Sequence, residues 1–227
     1  MPFVRPMLAA RFCGKLPERF FLQRKLDGVR AIAAADGIWS RSGRRITSCP
    51  HIERELKEIF DANSDLILDG ELYHHDLRSD LISIISAVNR QAACNRNHIP
   101  PIQSHIFDIP SLVTPFSHRM AILDRITAAD RRPQSIVQVV ETTAGSSRHE
   151  LDRQLKTALS NGYEGVMIRT DTPMSGRSDN LIKLKPFDDD EFEVIGFNEV
   201  RGNLSGFAQR AILRLSDGRT FIAALKC

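Results

Sequence analysis

Up to Pro186 short extended runs alternate with segments of helical period, and beyond it only strand signals remain. That change constrains the fold more than any other feature. Turn chemistry between several of the extended runs marks hairpins, so the sheets must be antiparallel or mixed with helices packed on them. The chain is expected to be α+β. Its boundary is expected near Phe187, giving a first domain over 1–187 and a short all-β segment over 188–227.

Individual elements follow from spacing. Residues 20–26 read as a strand, and 29–35 and 38–41 flank Asp36-Gly37, a dipeptide suited to a two-residue hairpin turn. Ile52, Leu56, Ile59 and Phe60 recur at helical spacing after Ser48 and Pro50. Residues 66–73 and 102–109 are extended; Ser79 is expected to cap a helix carrying Leu81, Ile84, Ile85 and Val88, and Ser117 to open one carrying Met120, Leu123 and Ile126. A strand over 136–141 precedes a helix over 147–160 that Gly162 ends in a left-handed cap. Strands over 165–169 and 181–185 enclose a polar, Gly- and Pro-containing loop. The last strands cover 192–200, 211–215 and 220–225, with a turn at Asp217-Gly218.

Composition excludes several classes. With 42% hydrophobic and 26% charged residues the 227-residue chain is globular, and no run approaches the roughly 18 apolar residues a membrane span needs. The N-terminus lacks the continuous apolar stretch of a secretory signal. Four cysteines without a close pair suggest reduced thiols, so a cytoplasmic protein without membrane partners is expected. A net charge of +3 assigns no polyanion partner, but six cations between Arg24 and Arg45 against Asp27 and Asp36 localise positive charge.

Chemistry-bearing residues fall in six short motifs. Lys25-Leu26-Asp27-Gly28-Val29-Arg30 puts a lysine at a strand end beside Arg24 and Arg30; like charge and desolvation there both disfavour the ammonium form and favour a nucleophile. A solvated basic turn is the plain alternative. Ser40-Arg41-Ser42-Gly43 offers a guanidinium fork beside a turn, and Leu68-Asp69-Gly70-Glu71-Leu72 either a functional carboxylate or another hairpin turn. Phe107, in Ile106-Phe107-Asp108, is core or a stacking platform. Glu164-Gly165-Val166-Met167-Ile168-Arg169 places a carboxylate at the entry of a buried strand. In Leu181-Ile182-Lys183-Leu184-Lys185-Pro186 the two lysines share one face, an arrangement that suits an anion.

In this order the motifs resemble those of the covalent nucleotidyltransferases, and specifically the minimal, phage-like ATP-dependent DNA ligases. Pro6-Met7-Leu8-Ala9 and the Lys183–Phe187 run, followed by acids and Val194-Ile195-Gly196, favour DNA ligase over RNA ligase or capping guanylyltransferase, the runners-up. The resemblance implies a nucleotidyltransferase domain of ATP-grasp-like type followed by an OB fold. Here only about 40 residues follow Phe187, with no match to the family's terminal basic motif, so a partial OB segment is expected.

By resemblance, Lys25 attacks the α-phosphorus of ATP and carries AMP, with Lys183 and Lys185 as the other catalytic residues, neutralising the phosphate. Asp27 and Gly28 shape the loop presenting Lys25. Gln23, Arg30, Glu71, Phe107, Glu164 and Arg177 join the three lysines in binding nucleotide; Phe107 stacks on adenine. Arg30 and Arg41 contact DNA phosphate, while Glu71 and Glu164 hold Mg2+ or another divalent cation. The implied substrate is nicked duplex DNA, acted on by a monomer in replication, repair and recombination. The rival from another class is a non-catalytic module that clasps nucleotide or nicked DNA.

Overall fold

The computed structural model describes residues 4, 6–89, 101–127, 135–173, 180–186, 191–199, 206–215 and 217–225. The chain divides into two units, Met1–Pro186 and Phe187–Cys227. The first is α+β, with two five-stranded mixed sheets and four helices among its described residues.

One sheet has the order β1-β10-β9-β2-β8. Its strands are β1 (Ala10–Arg11), β2 (Phe20–Lys25), β8 (Thr142–Gly145), β9 (Gly165–Arg169) and β10 (Leu181–Leu184). All its pairings are antiparallel except that of β1 with β10. Strand alternation sorts the side chains of β2 and β9. Phe20, Leu22, Val166 and Ile168 enter a core with Leu151 and Ala158 of α4 (Arg148–Ser160). Phe21, Gln23 and Lys25 therefore face the other way, together with Met167 and Arg169.

The second sheet, in the order β4-β3-β5-β6-β7, contains β3 (Val29–Ala34), β4 (Gly37–Ser40), β5 (Leu68–Tyr73), β6 (Gln103–Asp108) and β7 (Val137–Val139). Its core includes Leu68, Leu72 and Ile106 with residues from α1 (Pro50–Ala62), α2 (Leu81–Asn89) and α3 (Phe116–Ile126). Helix α1 starts with proline at its first turn and buries Ile52, Leu56 and Phe60, four residues apart, on one stripe. Helix α4 is closed at both ends. Ser147 and Glu150 form a reciprocal capping box, and Gly162 at φ +79° lets Gly162 N donate to Leu159 O and Tyr163 N to Ala158 O.

The structure departs from the sequence reading at several places. The β3–β4 turn is Ala35-Asp36, one residue earlier than expected, with Ala34 opposite Gly37. Slipping the register by one residue would turn the buried Ile38 to solvent. Asp69-Gly70 lies inside β5 and makes no turn, because β3 and β6 pair on both of its sides. Helix α2 is capped by Asp80 instead of Ser79, its carboxylate accepting from Ser83 N at 3.0 Å and Ser83 Oγ at 2.6 Å. Helix α3 begins at Phe116, before Ser117, whose N–H and hydroxyl are taken by Asp171. Strands β1 and β8 were not expected; each is short and carries little periodicity of its own.

The second unit is an antiparallel meander of β11 (Glu193–Glu199), β12 (Ala208–Arg214) and β13 (Thr220–Ala224). Gly218 sits in the tight turn before β13, as Asp217-Gly218 predicts. Among the described residues no helix is long and apolar enough to cross a membrane.

Candidate active site

A cavity of ≈ 380 Å³ in the first unit is lined by Leu8, Ala9, Gln23, Lys25, Arg30, Arg41, Glu71, Phe107, Met167, Arg169 and Lys183, among others. Seven residues singled out from sequence thus share one cavity: Gln23, Lys25, Arg30, Arg41, Glu71, Phe107 and Lys183. They reach it from β2, β3, β5, β6, β10 and the turn after β4. Arg177 lies outside the described residues.

Lys25 ends β2 and pairs with Gly165 across to β9, which sets Glu164 beside it. The Glu164 carboxylate bridges two ammonium groups, Oε2 accepting from Lys25 Nζ and Oε1 from Lys185 Nζ. Partial burial pushes the Glu164 carboxyl up, but the hydrogen bonds of Lys185 and Lys25 outweigh it and hold the group below the usual glutamate range. Cations do gather around Lys25, but the two neighbours that the sequence singles out each have an acidic partner. Arg24 turns away to Glu141 and Tyr163, and Arg30 is neutralised by Asp69.

Glu71 lies across from Arg30 in the β3–β5 ladder. Burial pushes its carboxyl up to about 8, against the opposing pull of Arg30 and Lys25. A proton or a cation is therefore favoured there at neutral pH. The preceding loop closes tightly on β5: a Cβ on Gly28 would stand 2.4 Å from Leu72 O and 2.9 Å from Glu71 Cγ. Any side chain at position 28 would push into the strand that carries Glu71.

The floor is a buried polar network in which Gln23 meets Arg169, Asp108 and Arg119, three residues to which sequence reasoning gave no role. Arg169 donates from Nε to Gln23 Oε1 at 2.9 Å and from Nη1 to Asp108 Oδ2 at 2.6 Å. Asp108 also takes two bonds from Arg119. Burial pushes the Asp108 carboxyl up, yet Arg169 and Arg119 hold it below the usual range. Gln23 completes its amide by donating to Phe107 O at 3.2 Å and Thr142 Oγ1 at 3.0 Å. The guanidinium carbons of Arg30 and Arg169 stand 5.4 and 5.5 Å from the Phe107 ring centroid. A signal for Arg169 was present: in Gly165-Val166-Met167-Ile168-Arg169, period two puts it on the face of Gly165 and Met167.

Arg41 is exposed at the rim, on a turn in which Gly43 N donates to Ser40 O and Ser40 N to Arg44 O. It also lines an adjoining groove of ≈ 880 Å³ with Ser40, Ser42 and Ile85. Among the described residues no three His, Cys, Asp or Glu side chains converge as a metal cage.

The family model for the ATP dependent DNA ligase domain matches residues 6–185. The chain belongs to this DNA ligase family. Solved structures agree in fold with this ligase domain. One, from a study of DNA binding with a minimal scaffold by Lig E DNA ligases, superposes with a TM-score of 0.79 at 23% identity over 96% of this chain and 82% of that one. Chlorella virus DNA ligase-adenylate gives 0.64 at 20%, over 97% and 81%. The ATP-dependent DNA ligase from bacteriophage T7, in complex with ATP, gives 0.61 at 15%, over 97% and 80%. Two further matched chains are longer, this ligase-family chain spanning 52% and 55% of their lengths. No curated protein matches the chain.

Proposed function

We propose that this chain is an ATP-dependent DNA ligase that seals nicks in duplex DNA and carries AMP on Lys25. One observation supports this reading above the others: Lys25 and Lys183 share a cavity with Phe107 and Glu71, while Lys25 and Lys185 meet on Glu164. Its volume, ≈ 380 Å³, falls in the small-ligand range of about 300–1,000 Å³.

Phosphoryl transfer asks mainly for positioning and for neutralised charge on the phosphate oxygens. Lys25 Nζ, having lost a proton, attacks the α-phosphorus of ATP; a P–N bond forms and the P–O bond to pyrophosphate breaks. That proton leaves to solvent, and Glu164, an ionised carboxylate hydrogen-bonded to Nζ, orients the amine. Lys183 and Lys185 balance the charge that builds on the α-phosphate, and Phe107 offers a ring for adenine. A 5′-phosphate oxygen of the nick then attacks the same phosphorus and frees the lysine. Finally the 3′-hydroxyl attacks the 5′-phosphorus, expels AMP and joins the strands. Arg41, exposed at the rim, suits a DNA phosphate.

The donor chemistry fits magnesium, which is commonly held by one or two carboxylates together with substrate phosphates; Glu71 and Glu164 would be those carboxylates. When bound, the cation supplies further neutralisation of phosphate charge. The second unit we read as part of an OB fold, its three described strands matching part of the five such a barrel uses. We read the protein as a cytoplasmic monomer; Cys13 and Cys49, which form no disulfide, accord with a reducing compartment.

The test is transfer of label from α-labelled ATP and magnesium to the protein, lost in Lys25→Arg, followed by sealing of a pre-adenylated nick. Label that persists in Lys25→Arg removes Lys25 as the nucleophile. Binding of nicked DNA without sealing replaces the enzyme by a binding module.

A further inference from the structure

The guanidinium of Arg30 is already engaged inside the fold. Nε and Nη2 grip the two oxygens of Asp69 at 2.9 and 2.6 Å, and Nη1 donates to the backbone oxygen of Met7 at 2.6 Å. Asp69 is 1% exposed, so its charge depends on this fork. A planar guanidinium held at three points is rigidly oriented.

What Arg30 does hold is the segment over residues 6–12. Its far end is tied to β10: Ala10 pairs with Ile182 and Arg11 with Lys183, and Phe12 N donates to Lys183 O at 3.0 Å. Its near end is tied at Met7, which is buried. Between the two ties, Leu8 and Ala9 line the same cavity as Lys25 and Lys183. Leu8 remains 48% exposed, more than the packing of a core would leave.

We propose that Arg30 is a positioning residue that clamps the 6–12 segment as a strap along the nucleotide cavity, making Leu8 and Ala9 an apolar wall for the adenosine half of ATP. The assignment rests on the reading of that cavity as the ATP site. The clamp stands beside the nucleotide and DNA-phosphate roles that the resemblance implies for Arg30, which also lines the cavity and the adjoining groove. The strap also links base and phosphate recognition, since β10, which pairs with Ala10 and Arg11 just beyond the wall, carries Lys183.

Arg30→Lys tests the clamp, because one ammonium can keep the charge on Asp69 but cannot reproduce the fork and reach Met7 O as well. Trypsin cleavage after the exposed Arg11, read by mass spectrometry of the fragment beginning at Phe12, should accelerate about tenfold, the equivalent of one lost charge-assisted hydrogen bond. The KM for ATP in Lys25 labelling should rise by a similar factor while the maximal labelling rate holds. Unchanged cleavage after Arg11 overturns the clamp.

Leu8→Gly, at an exposed position that leaves the Arg30–Asp69 pair intact, covers the case in which Arg30→Lys does not fold. It should raise the KM for ATP in the same way, and an unchanged KM overturns the wall. Wild-type protein that takes no label from ATP counts against the ligase reading instead, and the proteolysis result still decides the clamp.

Discussion

Lys25 and Gly165 are cross-strand partners at the end of the β2–β9 ladder, and the next amide back, Glu164 N, donates to Lys25 O at 3.1 Å. This pairing brings the Glu164 carboxylate to Lys25 Nζ. It also needs glycine. A Cβ at position 165, where φ is +155°, would stand 2.3 Å from Leu184 O and 3.0 Å from Lys185 Cα. Gly165→Ala is therefore expected to displace the end of β10, destabilise the fold by about 1–3 kcal/mol in urea titration, and slow Lys25 labelling beyond what the stability loss explains.

Glu71 makes stability fall as pH rises. Its carboxyl titrates near 4.5 unfolded and at about 8 folded, so between those values the folded state holds more protons. Burial of the group costs nothing below about pH 4.5, costs progressively more up to about pH 8, and is fully felt above that. Calorimetry of ligand-free protein at pH 5, 7 and 9 should show Tm decreasing for this reason. Glu71→Gln should flatten the decline and, at pH 9, be more stable than wild type while labelling poorly.

The Arg169–Asp108–Arg119 group makes the opposite contribution. Arg169→Met leaves Asp108 with one of its two cations and unties Gln23, and a broken buried pair of this kind costs about 3–5 kcal/mol. Asp108 is depressed in the fold, so its contribution is full above the ordinary carboxylate range and is lost as pH falls through the depressed value. The penalty of Arg169→Met, read by urea unfolding at pH 7 and pH 3, should therefore shrink in acid.

Arg41, exposed on its turn, should behave as a DNA contact. Arg41→Ala is expected to leave Tm within about 0.5 kcal/mol of wild type in stability terms and to lower the salt slope of nicked-DNA binding by about one. Fluorescence anisotropy across a salt series measures the slope. An unchanged slope removes Arg41 from the interface.

The helices and most strands were legible because each carries its own signal: Ile52, Leu56 and Phe60 at helical spacing, Ser147 and Glu150 as a cap, alternation in Phe20–Lys25. Strands β1 and β8 were not, since two- and four-residue strands exist only through the neighbours they pair with. The Asp36-Gly37 and Asp69-Gly70 dipeptides show the same limit. One lies beside a turn and the other inside a strand, and register, a long-range property, decides between them.

Sequence by itself determined the chemical inventory: a lysine before Asp-Gly, carboxylates at 71 and 164, lysines alternating at 183 and 185, and the order that marks the family. Those are local facts of residue type and spacing. Tertiary structure alone decided which charges meet. It set Glu164 between Lys25 and Lys185, gave Arg30 to Asp69 and Met7 instead of leaving it free, and buried Arg169 beneath Gln23. Such partnerships join residues as many as 146 positions apart, and they depend on sheet register and burial, which no window of sequence contains.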